Sequence, residues 1–281
     1  MKIGVTFPQW IIKSDPIAIR DFAQEVEELG YDYILLYDAV VVTKDAEDPE
    51  IWHEPFTTIA YMAGCTTNIG FASGVVVLPS RQTVLVAKQA IELDILTGGR
   101  FRLGVSVGWN EKEYQAMGAD KSSRGKRIDE QLVILRQLWE DPFVSFQSDY
   151  HTIDNIGIHP RPVQHQCPLW VGGRVDSTMR RVAKFGNGWM MHNENPTLEW
   201  AKRDIATLLQ YVKEAGRQPE DVELNIIGIE VGEDKDWKQV VTDWENVGMS
   251  YLDVCTWNSG LETWDEHMFA IRRFKNRIDG K

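Results

Sequence analysis

The sequence predicts an α/β fold, a (β/α)8 barrel with insertions after strand 2 and before strand 5, in one domain spanning residues 1–281. Three observations carry this expectation. Apolar strand-like runs alternate strictly with amphipathic helical stretches, eight times over, which favours a parallel sheet over segregated strands and helices. The stretch Phe71 to Met117 holds a complete βαβ unit whose near-continuous apolar strands suit a sheet covered on both faces. No shift of composition marks a linker, and 281 residues with 43% hydrophobic content suit a fold of about 250 residues. A doubly wound open sheet is the alternative that the same alternation allows.

Each element follows from local chemistry. Ile3 to Phe7 alternates and stops at Pro8. Asp15 and Pro16 read as an N-cap and first helical residue, and Ile17, Phe22, Val26 and Leu29 mark one helix face up to Gly30. Tyr33 to Tyr37 is the second strand, ending at Asp38. The loop from Ala39 to Pro55, carrying Asp45, Glu47, Asp48, Glu50, Trp52, His53 and Glu54, is long enough to be a binding loop or lid. Thr57 to Ala63 is helical, and Ile69 opens the third strand, which carries Gly74 and breaks at Pro79-Ser80. Val84, Ala87, Ile91, Ile95 and Leu96 recur at helical spacing until Thr97-Gly98-Gly99-Arg100. The fourth strand, Phe101 to Val107, ends at Gly108-Trp109.

Glu111 to Met117 and Arg127 to Leu138 are helices. Asp141 to Gln166 forms the second insertion, with a hairpin over Phe143 to Ile153 and an extended, proline-bearing run after it. Leu169 to Val171 is strand five, broken by Gly172-Gly173-Arg174, with Asp176-Ser177 expected to cap the next helix. Trp189 to Met191, Val222 to Val231 and Tyr251 to Trp257 complete the strands. Helices over Thr197 to Ala215, Asp236 to Asn246 and Thr263 to Ile278 complete the alternation.

A formal net charge of −12 argues against a nucleic-acid or anionic-membrane surface. No apolar stretch approaches the ~20 residues a spanning helix needs. Cys65, Cys167 and Cys255, odd in number and far apart, suit free thiols in a reducing cytoplasm. His151, His159 and His165 share one irregular excursion without metal-ligand spacing, so no metal site is expected. GADKSSRGKR (Gly118 to Arg127) is not a phosphate loop, because its glycine spacing is wrong and Arg127 stands where Ser or Thr is required. GRFRLGVSVG is likewise not a dinucleotide fingerprint.

In such a barrel the chemistry sits at the C-terminal ends of the strands. The sharpest candidate there is VGGRVDSTMRR. Two glycines free the backbone, and a helix N-terminus beside an arginine suits a phosphate, though a tight turn could need the glycines for geometry alone. Asp38 at a strand end is a candidate for catalysis or for capping its turn. His53 and His192 are candidate catalytic groups or solvated loop histidines. Trp52, Trp109, Trp189 and Trp257 suggest an aromatic-lined mouth or core filling.

PSRQTVLVAKQAIELDILTGGRFRLGVSVGWNEKEYQAMG resembles the central signature of the bacterial-luciferase-like superfamily of flavin and deazaflavin oxidoreductases. WHEPFTTIAYMAGCTTNIGFASGVVVLP before it, and RGKRIDEQLVILRQLWEDPFVSFQ with HPRPVQHQCPLWVGGRVDSTMRRVAKFGNGW after it, agree in order. The likeness covers roughly Ile3 to Met191 and is strongest to the subgroup using the deazaflavin coenzyme F-420. It implies a barrel, commonly a homodimer, with the cofactor ring across the strand C-termini. It also implies a non-prolyl cis peptide at Gly74-Val75 behind the ring, and Ser106, Val107 and Gly108 beside it. Gly172, Gly173, Arg174 and Ser177 would hold the phosphate, and Gly188 would pack at the same end. Relatives often carry Asp-His where this chain has Asp38-Ala39, so proton handling falls to another group, such as His53 or His192, or is not needed.

The expected activity is therefore hydride transfer between bound F-420 and a small organic substrate in the cytoplasm. An FMN-dependent monooxygenase is the alternative, and a non-catalytic flavin-binding barrel is the alternative of another class.

Overall fold

The computed structural model describes residues 1–42, 51–192 and 196–280. Its strands are β1 (Lys2–Thr6), β2 (Tyr33–Leu36), β3 (Gly70–Ser73), β4 (Val76–Val77), β5 (Phe101–Ser106), β6 (Val144–Gln147), β7 (Thr152–Ile156), β8 (Leu169–Gly172), β9 (Gly188–His192), β10 (Glu223–Glu230) and β11 (Tyr251–Cys255). All but β6 and β7 form one sheet in the order β3-β2-β1-β11-β10-β9-β8-β5-β4, and β3 also pairs with β5. That last pairing closes the sheet. Because β4 continues β3 beyond Gly74-Val75, the closed sheet has eight positions, all in parallel register: the (β/α)8 barrel the alternation predicts. The hairpin β6–β7 is the expected insertion before the fifth barrel strand.

The helices are α1 (Gln9–Ile12), α2 (Pro16–Glu28), α3 (Pro55–Ala63), α4 (Thr83–Leu96), α5 (Glu111–Ala116), α6 (Arg124–Glu140), α7 (Asp176–Phe185), α8 (Leu198–Glu214), α9 (Trp237–Val247) and α10 (Trp264–Asp279). Asp15 caps α2 by accepting from the Ile17 amide, with Pro16 in the first turn, as read from the sequence. On α2 the buried residue is Ile19, whereas Ile17 is 57% exposed. The buried stripe keeps the expected Phe22 and Val26 but takes Ile19 and Ala23 in place of Ile17, so that Ile19, Phe22, Ala23 and Val26 meet the barrel. Val84 and Leu96 of α4 are exposed for the same reason, and Val86, Ala87, Ala90 and Ile91 cover the strands. Among the described residues no helix is long and apolar enough to cross a membrane.

Two apolar layers result. The larger lies between strands and helices. The smaller fills the barrel with Tyr33, Leu35, Ala72, Trp170, Met190, Ile227 and Tyr251. Large rings fit inside only because glycines face them. A Cβ on Gly4 would fall within the Tyr33 ring, and one on Gly188 within the Trp170 indole. Gly188 is thereby corrected. It opens β9, paired with Trp170 and Glu223, and so sits at the base of the barrel, away from the strand C-termini. Its lack of a side chain serves the interior, not the mouth. Trp189 is also core: fully buried, its indole N–H donates to the Gly173 carbonyl at 2.7 Å.

Candidate active site

A cavity of about 550 Å³ opens at the C-terminal ends of the strands, within the usual range for small-molecule and cofactor sites. Its floor is the break between β3 and β4. The Gly74-Val75 peptide is cis, at the position the sequence reading assigned. The Gly74 amide donates to the Leu36 carbonyl at 2.7 Å, and a Cβ there would lie 2.5 Å from the Leu35 side chain, so only glycine fits. Past the break, Val77 pairs with Ser106, and Gly108 turns over Val77 with φ +62°. Gly74, Val75, Ser106 and Gly108 thus converge on the cavity. Val107 does not line it; its carbonyl accepts the Tyr114 hydroxyl.

One wall is electrostatic. Asp38 has no exposed side-chain surface; it accepts from Arg81 Nη2 at 2.8 Å and from the Val77 amide at 3.1 Å. Glu113, from the first turn of α5, is buried beside this pair and accepts from the Val40 amide at 3.4 Å, while its Oε1 has no partner among the described residues. Burial pushes the Asp38 carboxyl up and Arg81 pulls it back; Glu113 is also pushed up, by burial and then by Asp38. Glu54 reaches the same guanidinium at 3.5 Å and caps α3 through the Thr57 amide. Asp38 therefore braces this wall. The sequence reading missed both Arg81 and Glu113.

A second wall is aromatic. The rings of Trp52 and Trp257 stack with centroids 5.0 Å apart, and Tyr37 meets both edge-on at 6.0 and 6.2 Å. Trp109 stands at the rim, 83% exposed. Of the two candidate histidines, only His192 lines the cavity. A register shift between β10 and β11 turns Gly228 inward with φ +81°, and His192 lies over it. A Cβ on Gly228 would sit 3.5 Å from His192 Nε2 and 3.8 Å from the Tyr37 hydroxyl, so these groups share one patch of wall. His53 is not brought to the site: its Nε2 bonds the Lys13 carbonyl oxygen at 2.7 Å and its ring lies against Phe7. Asp45, Glu47, Asp48 and Glu50 of the long loop lie outside the described residues.

The glycine-rich turn after β8 adjoins the floor, since a Cβ on Gly172 would lie 2.9 Å from Val75. Gly173, at φ +122°, leads into α7. The N-cap residue is Val175 rather than the expected Asp176, and it offers no side-chain acceptor. The Thr178 and Met179 amides turn back to the Val175 carbonyl, which leaves those of Asp176 and Ser177 at the open helix end. The arginines here already have acidic partners: Arg174 with Asp204 at 3.6 Å, Arg180 with Asp176 at 2.8 Å and Arg181 with Asp129 at 2.6 Å. Arg174 also lies over the Trp200 ring at 4.4 Å. An anion placed at this turn would therefore meet backbone amides and the Ser177 hydroxyl rather than a free basic cluster.

Comparison with known proteins agrees with this architecture. The family described as luciferase-like monooxygenase matches residues 6–234. The uncharacterised protein Rv0940c of Mycobacterium tuberculosis is 30% identical over 222 residues, covering 74% of this chain and 75% of that protein. The F420-dependent hydroxymycolic acid dehydrogenase of the same organism is 26% identical over 220 residues, covering 77% of this chain and 59% of that protein. In fold, the crystal structure of monooxygenase RslO1 from Streptomyces bottropensis superposes with a TM-score of 0.83 at 14% identity, covering 100% of this chain and 99% of that one. With the family match extending from the first barrel strand past the seventh, the chain belongs to the luciferase-like monooxygenase family.

Proposed function

We propose that this enzyme transfers a hydride between bound deazaflavin F-420 and a small organic substrate held against the aromatic wall. The observation that carries the reading is the contact between the two halves of the site. The bulge at Gly74-Val75 floors the cavity, and Gly172, which opens the amide-lined turn before α7, lies directly against it. A flat ring on the bulge and an anionic tail at the helix end would then belong to one ligand. Gly74 and Val75 would hold the ring from below, and Ser106 at the end of β5 with Gly108 just beyond it would hold it from the side. Gly172, Gly173, Arg174 and Ser177 would hold the phosphate, a fit supported by the uncapped amides of α7. When bound, the cofactor supplies the hydride donor or acceptor.

This chain's own residues do the rest. Trp52 and Trp257 keep water from the substrate face and orient a flat or apolar substrate by stacking. His192, at the cavity wall beside Gly228, is the catalytic histidine of this proposal, placed to hold or release the substrate proton at Nε2. Asp38, committed to Arg81, keeps the wall in place. The relative named as an F420-dependent dehydrogenase supports hydride transfer. The family's monooxygenase description supports a second reading, FMN with oxygen as co-substrate.

Titration of the apoprotein with F-420 and with FMN, followed by tryptophan quenching, tests the proposal. Tight F-420 and weak FMN binding is expected. The reverse result would favour the oxygenase, and stoichiometric binding with no turnover of reduced cofactor would favour a non-catalytic carrier.

A further inference from the structure

We propose that the substrate of this cavity is an organic cation, a protonated amine on an apolar body, held against the Tyr37, Trp52 and Trp257 rings with Glu230 as its counter-ion. Among the described residues, the charged carboxyl side chains lining the cavity are those of Asp38, Glu113 and Glu230, and no lysine or arginine lines it. Asp38 already has Arg81. An anionic substrate would therefore meet carboxyls and no cation, whereas a cationic one would meet complementary charge.

Glu230 is the last residue of β10. Ile229 before it packs between strands and helices, so Glu230 turns to the mouth of the barrel. There it is paired across the sheet with Cys255, two residues before Trp257. Its side chain is exposed and makes no hydrogen bond or ion pair with the described residues. A carboxylate at this place complements the three rings. The negative face of an aromatic ring attracts a positive charge, tryptophan most strongly, and the carboxylate adds its own charge and an acceptor for an N–H. Trp10 packs on Trp257 with centroids 4.5 Å apart without lining the cavity, so the wall is braced from outside.

Glu113 supplies a second acceptor. It is only 4% exposed and lines the cavity, and its Oε1 has no partner among the described residues. Leaving a buried carboxyl oxygen without a donor is costly, and an N–H of the bound molecule would provide one. A neutral apolar molecule would use the rings and leave both carboxyls unanswered. The assignment rests on the hydride-transfer reading only in calling the bound molecule the substrate; the binding itself needs no cofactor.

Calorimetric titration of the full-length apoprotein at pH 7 with three probes of one carbon skeleton separates charge from shape. The probes are 3,3-dimethylbutylamine, protonated at this pH, the neutral 3,3-dimethylbutan-1-ol and the anion 3,3-dimethylbutanoate. The amine is expected to bind about tenfold tighter than the alcohol, and the carboxylate not to bind. Glu230→Gln, at an exposed position, should weaken the amine about three- to fivefold and leave the alcohol unchanged, a split that a merely structural role would not produce. Trp257→Leu should weaken the amine more than the alcohol, with Trp52→Leu in its place should that variant not fold. Equal affinity for amine and alcohol, no binding of the amine, or amine binding indifferent to Glu230→Gln overturns the cation site. Failure of F-420 to bind would sink the hydride-transfer reading and leave these titrations untouched.

Discussion

Arg81 Nη2 donates to Asp38 Oδ1 at 2.8 Å, with the aspartate wholly buried and the arginine side chain 11% exposed. The same guanidinium moderates Glu113, so one cation stabilises two buried carboxyls. Arg81→Ala is expected to lower stability by about 3–5 kcal/mol at pH 8, since it strands both carboxyls. Protonation relieves that penalty, so the loss should shrink towards pH 4. Urea denaturation of the two proteins at both pH values checks this, and an equal loss at each would refute it.

Asp253 gives the protein a pH dependence of definite sign. Its carboxyl is raised from 3.8 to about 8 on folding, so the folded state binds the proton more tightly than the unfolded chain. Stability from this group is present below pH 4 and is lost as pH climbs through the interval to about 8. The full loss is on the order of 5 kcal/mol, at about 1.4 kcal/mol for each tenfold difference in proton affinity between the two states. Asp253→Asn has nothing to ionise there. Relative to the wild type it should gain stability steadily from pH 5 to pH 8 in thermal melts. Parallel curves would show that Asp253 is ionised in the fold.

Much of this fold was legible in the chain because strand and helix periods are local properties. The alternation located every barrel strand to within a residue or two, and the cis bond lies where the family likeness put it, at Gly74-Val75. The site was legible in part. A glycine in a strand announces a close approach without saying to what: Gly74 meets Leu35 under the cavity, whereas Gly188 makes room for Trp170 at the base. Charge partners come from distant elements. Nothing near Arg174 in sequence shows that Asp204 pairs with it, and nothing near Asp38 points to Arg81. Burial of Glu113 and Asp253 is likewise a tertiary outcome, invisible in a window of neighbours.

Gly104 should tolerate no side chain. A Cβ there would overlap the Ser73 carbonyl oxygen and lie 2.6 Å from Met190 Sδ, inside a layer with no room to give. Ser73 Oγ also receives the Gly104 amide at 2.9 Å and donates to its carbonyl, so displacement breaks two bonds. Gly104→Ala is expected to cost about 3 kcal/mol or more. Gly98→Ala, at φ +61° with open space around it, should cost only about 1–2 kcal/mol from the left-handed backbone. Chemical denaturation of the pair gives the ordering.

The proposed anion site offers the most direct check on the cofactor reading, because its two contributors separate by substitution. Ser177→Ala removes one hydroxyl beside the open end of α7 and leaves the amides in place. A hydrogen bond to a charged group contributes about 1.5–3 kcal/mol, so cofactor affinity should fall about tenfold or more with stability unchanged. Gly172→Ala instead places a methyl 2.9 Å from Val75 Cγ1, pressing on the bulge that floors the cavity. It should weaken binding of the ring as well as the tail. Riboflavin, which lacks the phosphate, distinguishes the two: its weak binding should be indifferent to Ser177→Ala and sensitive to Gly172→Ala. If both substitutions left F-420 and FMN affinity unchanged, the tail would lie elsewhere on the barrel rim and the helix-end site would be wrong.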